Sequence, residues 1–207
     1  EIDATKLATL PGILTELVIH DESALTGRSL AGVDFRQQYG AVVLAVHRRG
    51  TNVTSIGFQA FYHCTGLTNV LIPNSVSSIG SVAFSGCSSL TTVTVPASVI
   101  SIGSSAFYAC PGLTAIIVDA FNPNYSSADG VLFDKSQTTL VQYPQGKVGS
   151  YGVPGSVTSI RASAFINCPG LTSVTIPAGL TNIGDAAFWW CNLLAGVYFQ
   201  GNAPTLG

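Results

Sequence analysis

Residues 53–97 hold Val53-Thr54-Ser55-Ile56-Gly57, Ala60-Phe61, Cys64, Leu67, Val70 and Ile72-Pro73. Twenty-three residues on come Val76, Ile79-Gly80, Ala83-Phe84, Cys87, Leu90, Val93 and Val95-Pro96. Outward from this pair the pattern continues. A third copy has Val99, Ile102-Gly103, Ala106-Phe107, Cys110, Leu113, Ile116 and Val118. A fourth has Val157, Ile160, Ala164-Phe165, Cys168, Leu171, Val174 and Ile176-Pro177, and a fifth Leu180, Ile183-Gly184, Ala187-Phe188, Cys191, Leu194, Val197 and Phe199. A fixed period in the twenties, rich in Leu, Val and Ile, marks a solenoid. One copy holds too little apolar surface to fold alone, so each must lie against its neighbours.

Within a copy, the run from Leu67 to Pro73 ends with alternation of period two, which predicts a short strand that proline terminates. Residues 81–87 space apolar side chains about three apart, which predicts a helical turn on the opposite side. Between copies three and four lies an insertion at about 119–153. Asn122-Pro123-Asn124-Tyr125 reads as a turn, Gly130-Val131-Leu132-Phe133 as a strand, Asp134-Lys135-Ser136-Gln137 as a turn, and Thr139-Leu140-Val141-Gln142-Tyr143 as a second strand. That is a β-hairpin with a structural role.

The chain is 47% hydrophobic and only 9% charged, so Ser, Thr, Asn and Gly must supply its polar surface. A net charge of -2 gives no electrostatic reason to expect nucleic acid. No apolar run is long enough to cross a bilayer as a helix. The charges concentrate in residues 1–52, which sets a composition boundary just before the repeats and predicts two units, 1–52 and 53–207.

The pattern Ile-Gly-x-x-Ala-Phe-x-x-Cys-x-x-Leu-x-x-Val-x-Ile-Pro over residues 53–207 resembles BspA-like leucine-rich repeats. Arg161 stands in place of the repeat glycine, and Asp119 and Gln200-Gly201 in place of the strand-ending proline. The resemblance implies an α/β repeat fold: a leucine-rich-repeat solenoid with short strands on one face, short helical turns on the other, and one inserted β-hairpin. It also implies a bacterial or protist cell-surface setting and a role in adhesion or protein binding.

Residues 16–50 resemble the start of a TrkA-C (RCK-C) domain, the regulatory module of potassium-uptake proteins and some anion permeases. The resemblance rests on Glu16-Leu17-Val18-Ile19, Leu25-x-Gly27-Arg28-Ser29-Leu30, Asp34-Phe35-Arg36-x-x-Tyr39-Gly40 and Val43-Leu44-Ala45-Val46. The second half of that domain does not follow. The segment therefore reads as the N-terminal cap of the solenoid, with a regulatory remnant or a non-native junction as alternatives. Leu17-Val18-Ile19-His20 and 42–48 are its expected strands, with a short helix from Ser29 to about Phe35. Because Leu44 precedes Leu67 by twenty-three residues, the second strand could head the repeat sheet.

Cys64, Cys87, Cys110, Cys168 and Cys191 occupy one repeat position and should stack as a structural ladder of small buried hydrophobes. Parallel Cβ vectors one strand layer apart suit neither a disulfide nor a metal, which needs ligands converging on a point. His20, His47 and His63 are scattered, and no phosphate loop or dinucleotide fingerprint is present. We therefore expect no cofactor, no metal and no enzyme activity. Binding surfaces are the stronger candidates. The residue between the two inward strand positions gives the row Leu71, Thr94, Ile117, Thr175 and Tyr198, and the other side offers Tyr62, His63, Tyr108, Trp189 and Trp190. Exposed aromatics on a weakly charged surface suit a protein or glycan contact. Equally, Trp189 and Trp190 could cover the last core layer or a further repeat. The expected function is a protein-interaction or adhesion module. The alternative is a cytosolic regulatory module of a transporter built on residues 16–50. The repeats favour the cell surface or a secreted setting, and the N-terminal resemblance favours the cytoplasm.

Overall fold

The computed structural model describes residues 17–19, 46–48, 53–201 and 205–206. Two ladders of parallel strands run through a stack of about six turns. The first consists of two-residue strands: β3 (Ser55–Ile56), β5 (Ser78–Ile79) and β7 (Ser101–Ile102), then β13 (Ser159–Ile160), β15 (Asn182–Ile183) and β17 (Thr205–Leu206). The second comprises β4 (Asn69–Leu71), β6 (Thr92–Val95) and β8 (Ala115–Val118), then β12 (Gly149–Gly152), β14 (Leu171–Ile176) and β16 (Gly196–Phe199). Register repeats from layer to layer, with Ser55 opposite Ser78 opposite Ser101 and Val70 opposite Val93 opposite Ile116. The period-two alternation fixes it, since a one-residue slip would turn Val93 and Val95 outward. β1 (Leu17–Ile19) and β2 (Val46–Arg48) pair with each other in parallel, in a sheet of their own. The helix expected from Ser29 lies outside the described residues.

The expected α/β architecture is overturned. Among the described residues there is no helix, and the segments read as helical turns are chains of tight turns. The hydrogen bonds give the reason. In the first layer the N–H groups of Ala60, Tyr62 and Cys64 bond back to the carbonyls of Gly57, Gln59 and Phe61, three residues earlier. The alternating N–H groups of Gln59, Phe61 and His63 instead donate to Ser81, Ala83 and Ser85 in the next layer. Every second amide thus leaves its own layer, and left-handed φ values at Gln59 (56°) and His63 (56°) turn the chain to allow it. The same pair of left-handed positions recurs at Val82 and Gly86, Ser105 and Ala109, Ser163 and Asn167, and Ala186 and Trp190. Stacked strands are about 4.8 Å apart, whereas packed helices need 8–10 Å. With strand ladders on two sides of the stack, a helix in each layer would not fit.

Between the ladders the core is continuous within each half. Phe61, Phe84 and Phe107 stack at centroid spacings of 5.0 and 5.6 Å with their rings nearly parallel. In the second half Tyr143, Phe165 and Phe188 stack at 5.0 and 4.8 Å. After the first layer, the glycine of each Ile-Gly pair has no room for a side chain: a Cβ on Gly103 would sit 2.3 Å from the Ser81 nitrogen. Outside the core, Thr91 and Thr114 donate through Oγ1 to the carbonyls of Thr68 and Thr91, at 3.2 Å each, so hydroxyls seal the layer edges where charges are scarce.

The insertion builds more than a hairpin. β9 (Tyr125–Ala128) and β10 (Val131–Asp134) form a two-residue hairpin around Asp129 (φ 55°) and Gly130 (φ 75°). It docks on β8, where Ile116 N donates to Gly130 O at 2.8 Å. β11 (Thr139–Gln142) pairs antiparallel with β10 and parallel with β13, and β12 pairs parallel with β14. The segment therefore contributes an extra, shortened layer in which Tyr143 takes the Phe position. β10 is buried on both faces: Leu132 joins the first core, and Val131 and Phe133 join the second. The strand at 125–128 lies partly where the sequence reads as a turn.

Candidate functional site

The candidate row on the long strands splits in two. Leu71, Thr94 and Ile117 are directly opposite one another across β4, β6 and β8, all exposed. Leu71 and Ile117 are 60% and 48% exposed, a large share for aliphatic side chains. Thr175 and Tyr198 are opposite one another across β14 and β16, in a separate sheet, with Gly152 as the next member. Thr175 is half-buried and Tyr198 exposed, its ring lying over Gly196, where a Cβ would meet it at 2.8 Å.

On the turn side, Tyr62 and His63 meet edge to face with centroids 4.4 Å apart, and the His63 ring covers Gly86. Trp189 and Trp190 pack against each other at 5.1 Å in the last turn segment, both more than half exposed. Tyr108 is half-buried in the third turn. The two aromatic pairs thus belong to the first and last turn segments. Sequence reasoning did not single out Phe58, Ile100, Phe121 or Leu193, which are also exposed. They fall in turns, where no periodicity marks them.

The cysteines form a ladder of free thiols. Cys87 Sγ donates to Phe61 O and Cys110 Sγ to Phe84 O, each at 3.1 Å, and Cys191 Sγ to Phe165 O at 3.0 Å. Burial pushes the Cys110 thiol up to about 12. The hydrogen bond with Cys64, and then burial, push Cys87 well above the ordinary thiol range, and Cys191 and burial do the same to Cys168. Such thiols stay protonated at neutral pH and are poor nucleophiles. A stability consequence follows for Cys110, whose unfolded reference is 9.0. Its pKa is raised on folding, so the protonated thiol's contribution is intact below pH 9 and is lost as pH rises towards 12. Stability should fall by on the order of 2 kcal/mol by about pH 10.5 from this group. Urea denaturation of wild type and Cys110→Ala across that range checks this, and equal slopes would refute it.

Other polar side chains have structural partners. Burial works against charge on Asp134, but bonds from Thr139 N, Thr138 N and Oγ1, and Ser136 Oγ outweigh it and hold its carboxyl below the usual range. Asn122, fully buried, donates to Pro96 O and Val99 O and accepts from Asn124 N and Tyr125 N. Gln145, 1% exposed, accepts from Cys110 N at 2.7 Å and donates to Ile166 O at 2.8 Å, bridging the third and fourth copies. Among the described residues no group of three or more His, Cys, Asp or Glu is gathered as a metal site. No helix there is long and apolar enough to cross a membrane.

Comparison with known proteins bears chiefly on the repeats. The BspA-type leucine-rich repeat region matches in six copies, over residues 49–152 and 143–207. A leucine-rich cell-surface protein of Faecalibacterium prausnitzii A2-165 is 34% identical, with TM-score 0.64, over 71% of this chain and 39% of its own. A leucine-rich repeat protein of T. pallidum is 26% identical, with TM-score 0.51, over 93% of this chain and 78% of its own. The pneumococcal vaccine antigen PcpA shares the fold at 23% identity and TM-score 0.63, over 89% of this chain and 50% of its own. The chain thus spans half or less of the length of the Faecalibacterium protein and of PcpA. No curated protein matches it. Nothing in these comparisons supports the TrkA-C-like reading of residues 16–50. The family model covers well over half of the chain, through the same residues that build the two strand ladders, and the chain belongs to the BspA-type leucine-rich repeat family.

Proposed function

We propose that this chain is a non-catalytic display module of a surface protein, binding a protein or glycan through the exposed face of its long-strand sheets. The observation that carries the reading is the in-register row Leu71, Thr94 and Ile117, exposed on a sheet whose opposite face is buried core. Backbone pairing of β4 with β6 and of β6 with β8 holds these side chains at fixed spacing, so little entropy is lost when a partner docks. Leu71 and Ile117 flank the Thr94 hydroxyl, so the row offers apolar contact with a hydrogen-bonding group between. The description of the Faecalibacterium relative as a cell-surface protein supports the setting. We place the repeat unit at 53–207, with 1–52 as its cap.

The test is binding to an array of immobilised glycans and extracellular glycoproteins, followed by variants against whichever surface retains the chain. Ile117→Asp and Tyr198→Asp are each expected to weaken retention at least about tenfold while the sheet circular dichroism stays unchanged. Undiminished retention in both, with loss in Trp189→Ala/Trp190→Ala, would move the contact to the turn side and overturn the assignment.

A further inference from the structure

The shortened fourth layer leaves a cleft in the turn side of the stack. Leu140 and Tyr143 are three residues apart, where the flanking layers take five, from Ile102 to Phe107 and from Ile160 to Phe165. The missing length opens a space of about 90 Å³, walled by Ser104, Ser105 and Phe107 on one side and by Arg161 and Ser163 on the other, with Gln142 at its base. It holds no acidic side chain.

Two features give the cleft a chemical character. First, the interlayer amide ladder stops there. Val82 N donates to Ser104 O at 3.1 Å and Phe84 N to Ala106 O at 2.8 Å. The corresponding N–H groups one layer on, of Ser105 and Phe107, meet no acceptor among the described residues. Ser105 has the same left-handed φ as Val82, 55° against 49°, so its amide turns the same way, towards the cleft. Second, Arg161 stands on the facing wall. It occupies the position of Gly80, Gly103 and Gly184, where a Cβ would strike the preceding layer at 2.6, 2.3 and 2.4 Å. The short layer beneath it is what admits a side chain. Arg161 is exposed and makes no ion pair among the described residues.

We propose that this cleft is a binding site for a carboxylate group. Two backbone N–H donors on one wall and a guanidinium on the other match the two oxygens of a carboxylate, and serine hydroxyls supply further donors. The volume accommodates the carboxylate itself, with the remainder of the ligand lying outward, as a sugar acid would present it. The site is separate from the long-strand face, and its outcome leaves the display reading untouched.

The experiment is an amide-resolved NMR titration of the folded chain with sodium glucuronate, sodium acetate and glucose at matched ionic strength. Saturable shifts at the Ser105, Phe107 and Arg161 amides are expected with both carboxylates and none with glucose, at millimolar affinity. Tighter binding of glucuronate than acetate identifies a sugar acid, and equal binding identifies the carboxylate alone; both sustain the site. Arg161→Gln should weaken the response about tenfold, and Arg161→Lys should restore part of it. Equal shifts with glucose, shifts scattered away from the cleft, or unchanged affinity in Arg161→Gln would overturn the proposal.

Discussion

Gly103→Val is expected to cost the stack at least about 4 kcal/mol, enough to unfold a chain of ordinary stability. The obstacle is backbone, not side chain. A Cβ at residue 103 would stand 2.3 Å from Ser81 N and 2.7 Å from Gly80 C, and neither atom can move without breaking the ladder that joins Ile79 to Ile102. The repeat contains its own control. A Cβ at Gly57 in the first layer meets nothing within 4 Å, so Gly57→Val should change stability by no more than about 1 kcal/mol. Urea denaturation of the two variants side by side decides the matter. Equal losses would mean that layers are not pressed together at this position.

The second large effect is expected at Gln145. Gln145→Leu keeps the volume but removes both hydrogen bonds, leaving Cys110 N–H unpaired and Ile166 C=O with a long, weak contact from Cys168 Sγ at 3.8 Å. Each buried group deprived of its bond costs about 1–3 kcal/mol, so the total is about 2–6 kcal/mol. A selective sign accompanies the loss. Hydrogen exchange at the Cys110 amide should accelerate, while the Cys87 amide, bonded to Phe84 O at 3.2 Å, stays protected. The core is divided into two clusters at this seam, so the variant should also broaden a single unfolding transition towards two. A sharp transition with Cys110 still protected would show that the bridge contributes nothing.

Much of the architecture is legible in the chain, because a period of twenty-three residues and strict alternation at Val93 and Val95 leave few choices. The turn side is not. Apolar residues three apart at Ala83, Phe84 and Cys87 satisfy both a helix and a run of tight turns. The left-handed positions that distinguish them are held by Gln59, Val82, Ser105 and Ala186, none of which announces positive φ. Only Gly86 and Asn167 carry that signal. The hairpin at Asp129-Gly130 has a cue of its own in the Asp-Gly pair, but neither flanking strand alternates to support it. The extra layer stayed hidden because it lacks the Cys of its neighbours and is short by two residues between Leu140 and Tyr143.

For the surface, period-two reasoning places Leu71, Thr94 and Ile117 on one row, but the division of that row from Thr175 and Tyr198 depends on the insertion's path. The cleft beside Arg161 had one trace in the sequence, an arginine where a glycine is the rule. Its meaning needs the neighbouring layer to be seen.

The layer-to-layer register has a consequence for how such a chain can lengthen. Ser78 pairs with a serine on either side, Ser55 and Ser101, in one register, so a duplicated copy would meet a mate of the same pattern as the one it displaced. Gene duplication inside either run therefore yields a foldable product at once, and copy number becomes a freely varied trait. At Gln145 that freedom ends: its amide is fitted to two unlike neighbours, so recombination through the junction would leave one of them unmatched.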